Sequence, residues 1–195
     1  TKSYDLVIHA MGKAHQLSKN IKDDADFYKV NVLSTINFLN ALSANPPLRF
    51  VYISSVSVYG KSSGESISEN FPTSANDPYG LSKIIAENII KTWCYNHGIK
   101  YTILRLPLIV GENPPGNLGA MVNSINRGTF FIFKKGIAKK SMVLASDVAN
   151  YIIDASDIGG TFNLTDGYHP SCYELCNCIS RSNSKKMPIN FPYIF

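Results

Sequence analysis

The order of apolar runs along the 195-residue chain limits its fold more than any other feature. Short runs rich in β-branched and aromatic residues, at Asp5–His9, Phe50–Ser54 and Tyr101–Arg105, alternate with segments of helical periodicity at Phe27–Leu42 and Pro78–Asn96. Strands that alternate with helices of this length are typical of a parallel sheet covered by helices on both faces. The sequence therefore predicts a doubly wound α/β fold.

The pattern changes near Gly111, where a loop rich in proline and glycine follows the last of these strands. A predicted helix at Leu118–Arg127 comes next, and shorter strands and helices follow it. We place a boundary here, with residues 1–110 in one domain and residues 111–195 in a smaller C-terminal lobe. A strand near residues 160–164 is predicted to return to the main sheet.

Tyr79 and Lys83 are the strongest sign of chemistry in the sequence. They are four residues apart at the start of a predicted helix, which puts them on one face. A lysine beside a tyrosine favours the phenolate, so a group with a free pKa of about 10 can act as a base near neutral pH. Upstream, Ser54 and Ser55 end a predicted strand, at the sheet edge where α/β proteins bind ligands. A serine-rich turn with only local hydrogen bonds is the alternative for the serines.

Several segments, in the same order and spacing, resemble the extended short-chain dehydrogenases/reductases, specifically their NAD-dependent sugar-nucleotide epimerase/dehydratase branch. The matching segments are Asp5–His9, Asn31–Thr35, Ser54–Gly60, Asp77–Lys83, Leu104–Gly111, Gly116–Leu118, Asn126–Gly128 and Lys140–Asp147. The resemblance implies a Rossmann-like parallel sheet. It makes residues 1–110 the C-terminal part of an NAD-binding domain, and residues 111–195 a substrate-binding lobe.

One departure from the family concerns its glycine-rich loop. The family opens with G-x-x-G-x-x-G between a strand and a helix, where backbone N–H groups approach the dinucleotide pyrophosphate. No such loop occurs in these 195 residues, which begin near the segment that resembles the family's fourth strand. We therefore expect a partial nucleotide-binding domain, from a truncated or longer polypeptide.

The resemblance assigns roles to residues of both predicted domains. Ser55, Tyr79 and Lys83 are the expected catalytic residues. Cofactor contacts are expected from Met11, Gly12, Asn31, Tyr79, Lys83 and Pro107, and substrate contacts from Ser55, Asn117 and Lys140. Asn117 is expected to cap the helix that follows it, where amides also point at a phosphate. Lys140 replaces an arginine that is common in the family and so lacks the bidentate fork; a solvated surface lysine is the alternative.

The implied cofactor is NAD, with NADP as the alternative, and the implied substrate is a nucleotide-diphosphate sugar. The finer resemblance is to enzymes of UDP-linked sugars in surface-polysaccharide biosynthesis. Tyr79 would take a proton from the C4 hydroxyl while hydride leaves the same carbon, with Ser55 holding the sugar oxygen. A C4 epimerase and a 4-keto-sugar reductase share these residues, so both stay open. A dehydratase is disfavoured, because Val56 and Ser57 stand where that branch has Asp-Glu.

A non-catalytic chain that binds a sugar nucleotide or a protein partner is the alternative from another class. The net charge of +5 is small for a nucleic-acid binder, and no apolar run approaches the ~20 residues of a membrane span. Three of the four cysteines form C-x-x-x-C-x-C without the second ligand pair of a zinc site, so we expect no metal. Reduced cysteines fit a cytoplasmic location, and a homodimer is compatible with the resemblance.

Overall fold

The computed structural model describes residues 4–14, 21–114 and 116–191. Contacts divide the chain into two compact units, Thr1–Pro107 with Asp147–Leu164, and Leu108–Ser146 with Thr165–Phe195. The predicted division at residue 110 differs from these units, because residues 147–164 return to the first unit. Within the described ranges, no helix combines the length and the apolar character needed to cross a membrane.

The secondary structure alternates as predicted in the first half of the chain. In chain order the elements are β1 (Leu6–His9), α1 (Ile21–Phe27), a π-helix (Tyr28–Leu33), α2 (Ser34–Leu42), β2 (Arg49–Ser55), a 3₁₀ turn (Val56–Tyr59), α3 (Pro78–Asn96), β3 (Lys100–Leu106), β4 (Leu108–Val110), α4 (Gly116–Asn126), β5 (Phe131–Phe133), a second 3₁₀ turn (Lys134–Gly136), β6 (Met142–Leu144), α5 (Ala145–Ile158), β7 (Gly160–Asn163), α6 (Cys172–Ser182) and β8 (Ile189–Phe191). The helix predicted at Phe27–Leu42 begins earlier and contains the π-helix.

The first unit is built on a parallel sheet with the strand order β1-β2-β3-β7. In its register His9 lies opposite Tyr52, and Ser55 lies opposite Leu106. The carboxyl ends of β1, β2 and β3 therefore lie along one edge of the sheet. The predicted return of a strand near residues 160–164 corresponds to β7, which pairs with β3.

Helices cover both faces of this sheet. Phe50, Tyr52 and Ile103 point to the face where α2 and α3 pack, and they belong to one apolar core cluster. On the opposite face, the Thr102 hydroxyl donates to the backbone oxygen of Ala155 in α5 at 3.1 Å. Strand side chains alternate between the two faces, so both must be covered to bury them. The predicted doubly wound parallel fold is confirmed.

The second unit contains two pairs of short parallel strands, β4 with β6 and β5 with β8. A small core of Ile125, Ile132 and Cys176 joins α4, β5 and α6. Helix α6 starts at a capping box, in which Ser171 and Glu174 satisfy each other's backbone amides. The sequence did not predict the three-residue strands β4 and β8.

Candidate active site

Ser55 ends β2 at the carboxyl edge of the sheet. Its backbone is extended, and its Oγ accepts a hydrogen bond from the Ser57 amide at 3.2 Å, which starts the 3₁₀ turn. Pro107 directly follows β3 at the same edge, where the sheet no longer needs an N–H from it. The strand ends thus bring Ser55 and the Pro107 loop to the position predicted for ligand contacts.

Helix α3 starts at a defined cap, and this places Tyr79 in its first turn. The Asp77 carboxylate accepts from the Gly80 amide at 2.9 Å, and Pro78 occupies the first helical position. Tyr79 is half-buried, and its ring packs on Phe27 with 5.8 Å between the centroids. The Ser55 hydroxyl is near enough to Tyr79 to lower the pKa of its phenol. The two predicted catalytic hydroxyls therefore lie close together.

Lys83 lies beneath this pair and is only 5% exposed. Its Nζ donates to the backbone oxygen of Ile53 at 2.9 Å and lies 4.7 Å from the centre of the Tyr52 ring. Burial lowers the pKa of Lys83 to about 8, and the nearby Glu87 carboxylate opposes part of that change. The side chain is thus held in one position.

The expectation that Lys83 lowers the pKa of Tyr79 is not met in this chain. Burial raises the pKa of Tyr79, the hydrogen bond with Ser55 lowers it, and the Asp77 charge raises it, with a net increase. The reason is geometric, because the described contacts of Lys83 Nζ are to the Ile53 oxygen and the Tyr52 ring.

Asn31, in the π-helix, organises the loop that follows β1. Its Oδ1 accepts from the Lys13 amide at 2.7 Å, and its Nδ2 donates to the Lys13 oxygen at 3.1 Å and to Ser82 Oγ at 2.9 Å. It is 2% exposed. A π-helical turn within a longer helix often occurs at functional sites. Asn31 therefore holds the loop to α3, close to Lys83.

Gly12 leaves an opening beside these groups. A Cβ atom at this position would lie 3.2 Å from Asn31 Oδ1 and 3.3 Å from Lys83 Nζ, closer than most real contacts. Gly12 and Met11 are both exposed, so a ligand can approach the backbone here. The structure thus brings Met11, Gly12, Asn31 and Lys83 to one place.

A buried network that the sequence reading missed lies behind the site. Glu87 accepts hydrogen bonds from Ser54 Oγ at 2.6 Å and from Arg105 Nη2 at 2.7 Å. Arg105 Nη1 also donates to the Tyr59 hydroxyl at 2.9 Å and to the Glu69 oxygen at 3.1 Å. Burial acts to lower the pKa of Arg105, but its bonds to Glu87 and Tyr59 raise it overall. The sequence carried one sign of Glu87: it follows Tyr79 and Lys83 at the same spacing of four residues, which places all three on one helix face.

Asn117 and Lys140 belong to the second unit. Asn117 does not precede its helix as predicted, because α4 already begins at Gly116. Its backbone amide therefore belongs to the first helical turn, where such groups lack partners within the helix. Lys140 is exposed, and its backbone amide donates to the Pro170 oxygen at 3.0 Å.

Comparison with known proteins identifies relatives over most of the chain. It is 27% identical over 215 aligned residues to UDP-glucose 4-epimerase 4 of Oryza sativa subsp. japonica, covering 95% of this chain and 58% of the relative. It is 30% identical over 175 residues to N-acetyl-alpha-D-glucosaminyl-diphospho-ditrans,octacis-undecaprenol 4-epimerase of Escherichia coli O157:H7, covering 86% and 52%. The chain thus spans little more than half the length of these relatives.

The fold also matches solved structures. UDP-glucose 4-epimerase of Thermus thermophilus, solved as a complex with NAD, superimposes with a TM-score of 0.80 at 20% identity, covering 97% of this chain and 65% of that one. At that identity the match shows the fold alone. A profile of the NAD dependent epimerase/dehydratase family matches residues 1–164. The chain belongs to the NAD dependent epimerase/dehydratase family.

Proposed function

We propose that the protein is an NAD-dependent C4 epimerase of a nucleotide-diphosphate sugar. The observation that carries the proposal is the proximity of Ser55 and Tyr79 at the carboxyl edge of the sheet, with Lys83 buried beside Gly12. Family membership supports the cofactor class, and the names of the relatives as 4-epimerases support reaction at C4. A 4-keto-sugar reductase is the alternative that uses the same residues.

The first unit carries groups that fit a nicotinamide cofactor. Gly12 lacks the side chain that would fill the space next to Asn31 Oδ1 and Lys83 Nζ, and a ribose can offer hydroxyl groups to both. Met11 and the Pro107 loop border the same sheet edge. When bound, NAD would accept a hydride from the sugar and later return it. The chain's own task is then to orient the sugar and to move one proton.

Tyr79 is the proposed proton acceptor for the C4 hydroxyl. The neighbouring Ser55 provides a second hydroxyl that can hold the sugar oxygen and share the proton. Because burial raises the pKa of Tyr79 in the chain alone, deprotonation needs a nearby positive charge. Lys83, one helical turn along α3, is the cation that can supply it. Tyr79 would return the proton after the keto sugar has rotated to present its other face.

For the substrate we propose a UDP-linked sugar whose diphosphate binds at the Asn117 amide and Lys140 in the second unit. The name of the Escherichia coli relative favours a second candidate, a sugar diphosphate carried on a polyprenyl chain. Both substrates share the diphosphate that a helix N-terminus and a lysine recognise. Use in surface-polysaccharide biosynthesis is part of this proposal. The four free cysteines favour the cytoplasm, and the homodimer stays a prediction.

The test is a Tyr79→Phe substitution in the protein expressed from its complete reading frame. The change removes one hydroxyl and keeps the ring that packs on Phe27. Because an acid–base group contributes roughly 10²–10⁴-fold, C4 epimerisation of UDP-glucose and UDP-N-acetylglucosamine should fall at least that far.

The matched control is Tyr95→Phe, which removes the hydroxyl of an 87% exposed tyrosine on the same helix and should keep full activity. Activity of Tyr79→Phe within about threefold of wild type would contradict the proposed role. Net consumption of reduced cofactor with release of an alcohol would identify the reductase instead.

A further inference from the structure

A buried ion pair lies one helical turn behind Lys83. Glu87 is 2% exposed and Arg105 is 3% exposed. Arg105 Nη2 donates to Glu87 Oε2 at 2.7 Å, and Arg105 Nε donates to Glu87 Oε1 at 3.1 Å. The cost of removing two charges from water offsets much of their attraction, so such a pair is weak evidence for a purely stabilising role. Its place next to the site suggests another role.

Glu87 connects α3 with two strands of the sheet. Besides its bonds from Arg105 in β3, it accepts from Ser54 Oγ in β2 at 2.6 Å. Ser54 immediately precedes Ser55, so the carboxylate is linked to the strand end that carries the first catalytic hydroxyl. At the outer end of the pair, Lys91 Nζ lies 3.8 Å from Glu87 Oε2. One carboxylate thereby fixes the helix of Tyr79 and Lys83 against the end of β2.

The surroundings of Lys83 contain little to balance its charge. Its Nζ contacts the Ile53 oxygen and the Tyr52 ring, and His9 on β1 is near enough for the Lys83 charge to oppose its protonation. Among the residues that the structure describes, Glu87 is the charged group that favours the ammonium form of Lys83. An ammonium buried without a negative partner is costly and gives up its proton.

We propose that Glu87 is a positioning residue: with Ser54 and Arg105 it fixes α3 against the sheet, and its charge keeps Lys83 an ammonium. An ammonium has three donors for hydroxyl groups and a positive charge that favours a neighbouring phenolate, whereas a neutral amine lacks that charge. For its catalytic consequence the inference rests on the proposed function. The ionisation of Lys83 can be measured in the protein expressed from its complete reading frame, without turnover.

The experiment is an NMR titration of the chain with ¹³C-labelled lysine, from about pH 6 to about pH 11. The Lys83 signal is assigned by its loss in Lys83→Met. Glu87→Gln keeps the shape of the side chain and removes its charge. Because an opposite charge at short range favours the charged form by roughly one unit or more, Lys83 should titrate at least about one pH unit lower in Glu87→Gln than in wild type.

The control is Glu69→Gln, since the Glu69 carboxylate accepts from the Asn163 amide at 2.8 Å and has no described contact with Lys83. In Glu69→Gln, Lys83 should titrate at the same pH as in wild type. Glu87→Gln leaves Arg105 buried without its partner, so a second variant combines Glu87→Gln with Arg105→Met and removes both charges. Circular dichroism reports which variants fold.

An unchanged Lys83 titration in either folded variant would overturn the proposal. Loss of folding in both variants would also overturn it, because the Glu87–Arg105 pair would then be required for folding and not specifically for positioning Lys83. A wild-type protein without epimerase activity would instead contradict the proposed function, and it would leave the titration result unaffected. The two failures are therefore distinguishable.

Discussion

His9 is a buried histidine that the site does not use directly. It is 2% exposed and lies among Phe38, Phe50 and Tyr52, with ring centroids 5.3 to 6.2 Å away. Thr35 Oγ1 already donates to the Asn31 oxygen, so the 2.8 Å bond between His9 and Thr35 has His9 Nε2 as its donor. Within the described residues, His9 Nδ1 has no hydrogen-bond partner. Protonation there would place a charge in an apolar cluster.

We predict that His9 makes the first unit sensitive to acid. Burial, followed by the Lys83 charge, lowers the pKa of His9 from 6.5 to about 4. Between these values the unfolded chain binds more protons than the folded chain, so the free energy of unfolding falls as the pH falls from 6.5 towards 4. The expected loss from this residue is about 3 kcal/mol, from 1.36 kcal/mol per unit. His9→Phe should remove that part of the loss.

The measurement is urea unfolding of wild type and His9→Phe at about pH 7 and about pH 4.5. The change between the two pH values should be about 2–3 kcal/mol smaller in the variant, since carboxylates contribute equally to both. His169→Asn is the control, because His169 is exposed and should leave the pH dependence as in wild type. Parallel pH profiles for His9→Phe and wild type would contradict a buried neutral His9.

For single residues, the sequence predicted the positions that depend only on spacing along one helix or one strand. Tyr79 and Lys83 share a helix face, and Ser55 ends a strand, so these positions could be predicted without coordinates. The structure places Ser55 near enough to Tyr79 to lower its pKa. The direction of Lys83 Nζ could not be predicted, because it depends on the Ile53 oxygen and the Tyr52 ring of a neighbouring strand. Long-range pairs such as Glu87 with Arg105 were missed for the same reason.

At the level of elements, the start of α3 packs tightly on the 3₁₀ turn after β2. A Cβ atom on Gly80 would lie 2.8 Å from the Ser57 oxygen and 2.5 Å from the Ala75 Cβ. These distances are too short for real atoms, and the Ser57 oxygen is backbone that cannot rotate away. The missing side chain at Gly80 is therefore what lets the turn of Ser55 approach the turn of Tyr79.

We predict that Gly80→Ala destabilises the chain and weakens catalysis. Alanine gains up to about 1 kcal/mol of helix propensity over glycine, whereas a forced shift of packed backbone costs about 1–3 kcal/mol. The net result should be a loss of stability by chemical denaturation, together with lower epimerase activity as Tyr79 moves from Ser55. Leu81→Ala is the control, because Leu81 is 45% exposed on the same helical turn. A Gly80→Ala chain as stable as wild type would contradict the tight packing.

The elements themselves were predictable to different degrees. Helix α3 has the predicted bounds, since Asp77 and Pro78 mark its start and its apolar spacing continues to Asn96. The π-helix at Tyr28–Leu33 was not predicted, because a change in hydrogen-bond register leaves the amino-acid pattern helical. It contains Asn31, which holds the loop after β1 to α3.

For the whole molecule, the sequence predicted the parallel sheet, whereas its single division at residue 110 differs from the two compact units. Most of helix α5 and all of strand β7 come after residues 108–146 of the second unit in the chain, yet residues 147–164 belong to the first unit. The backbone of β7 pairs with β3, and such pairing between distant segments leaves only a weak local signal.

The second unit supplies the last prediction, which concerns substrate affinity. Lys140 is exposed and close in sequence to β6, and we propose that it binds the substrate diphosphate. Lys140→Ala should weaken UDP binding by about tenfold to a hundredfold, since a hydrogen bond to a charged group contributes roughly 1.5–3 kcal/mol. The turnover number should change less, because the diphosphate lies away from the reacting carbon. Calorimetric titration of the protein from the complete reading frame with UDP provides the measurement.

Lys139→Ala is the matched control for this prediction. Lys139 is the adjacent exposed lysine, and its charge acts on Glu174, whose pKa it helps to lower after the larger effects of Ser171 and Tyr168. Removing it changes the net charge as much as Lys140→Ala does, so a long-range electrostatic effect would weaken UDP binding equally in both variants. A loss confined to Lys140→Ala would support a direct contact with the diphosphate. Equal affinity in Lys140→Ala and wild type would make Lys140 a surface lysine and leave the diphosphate to other groups.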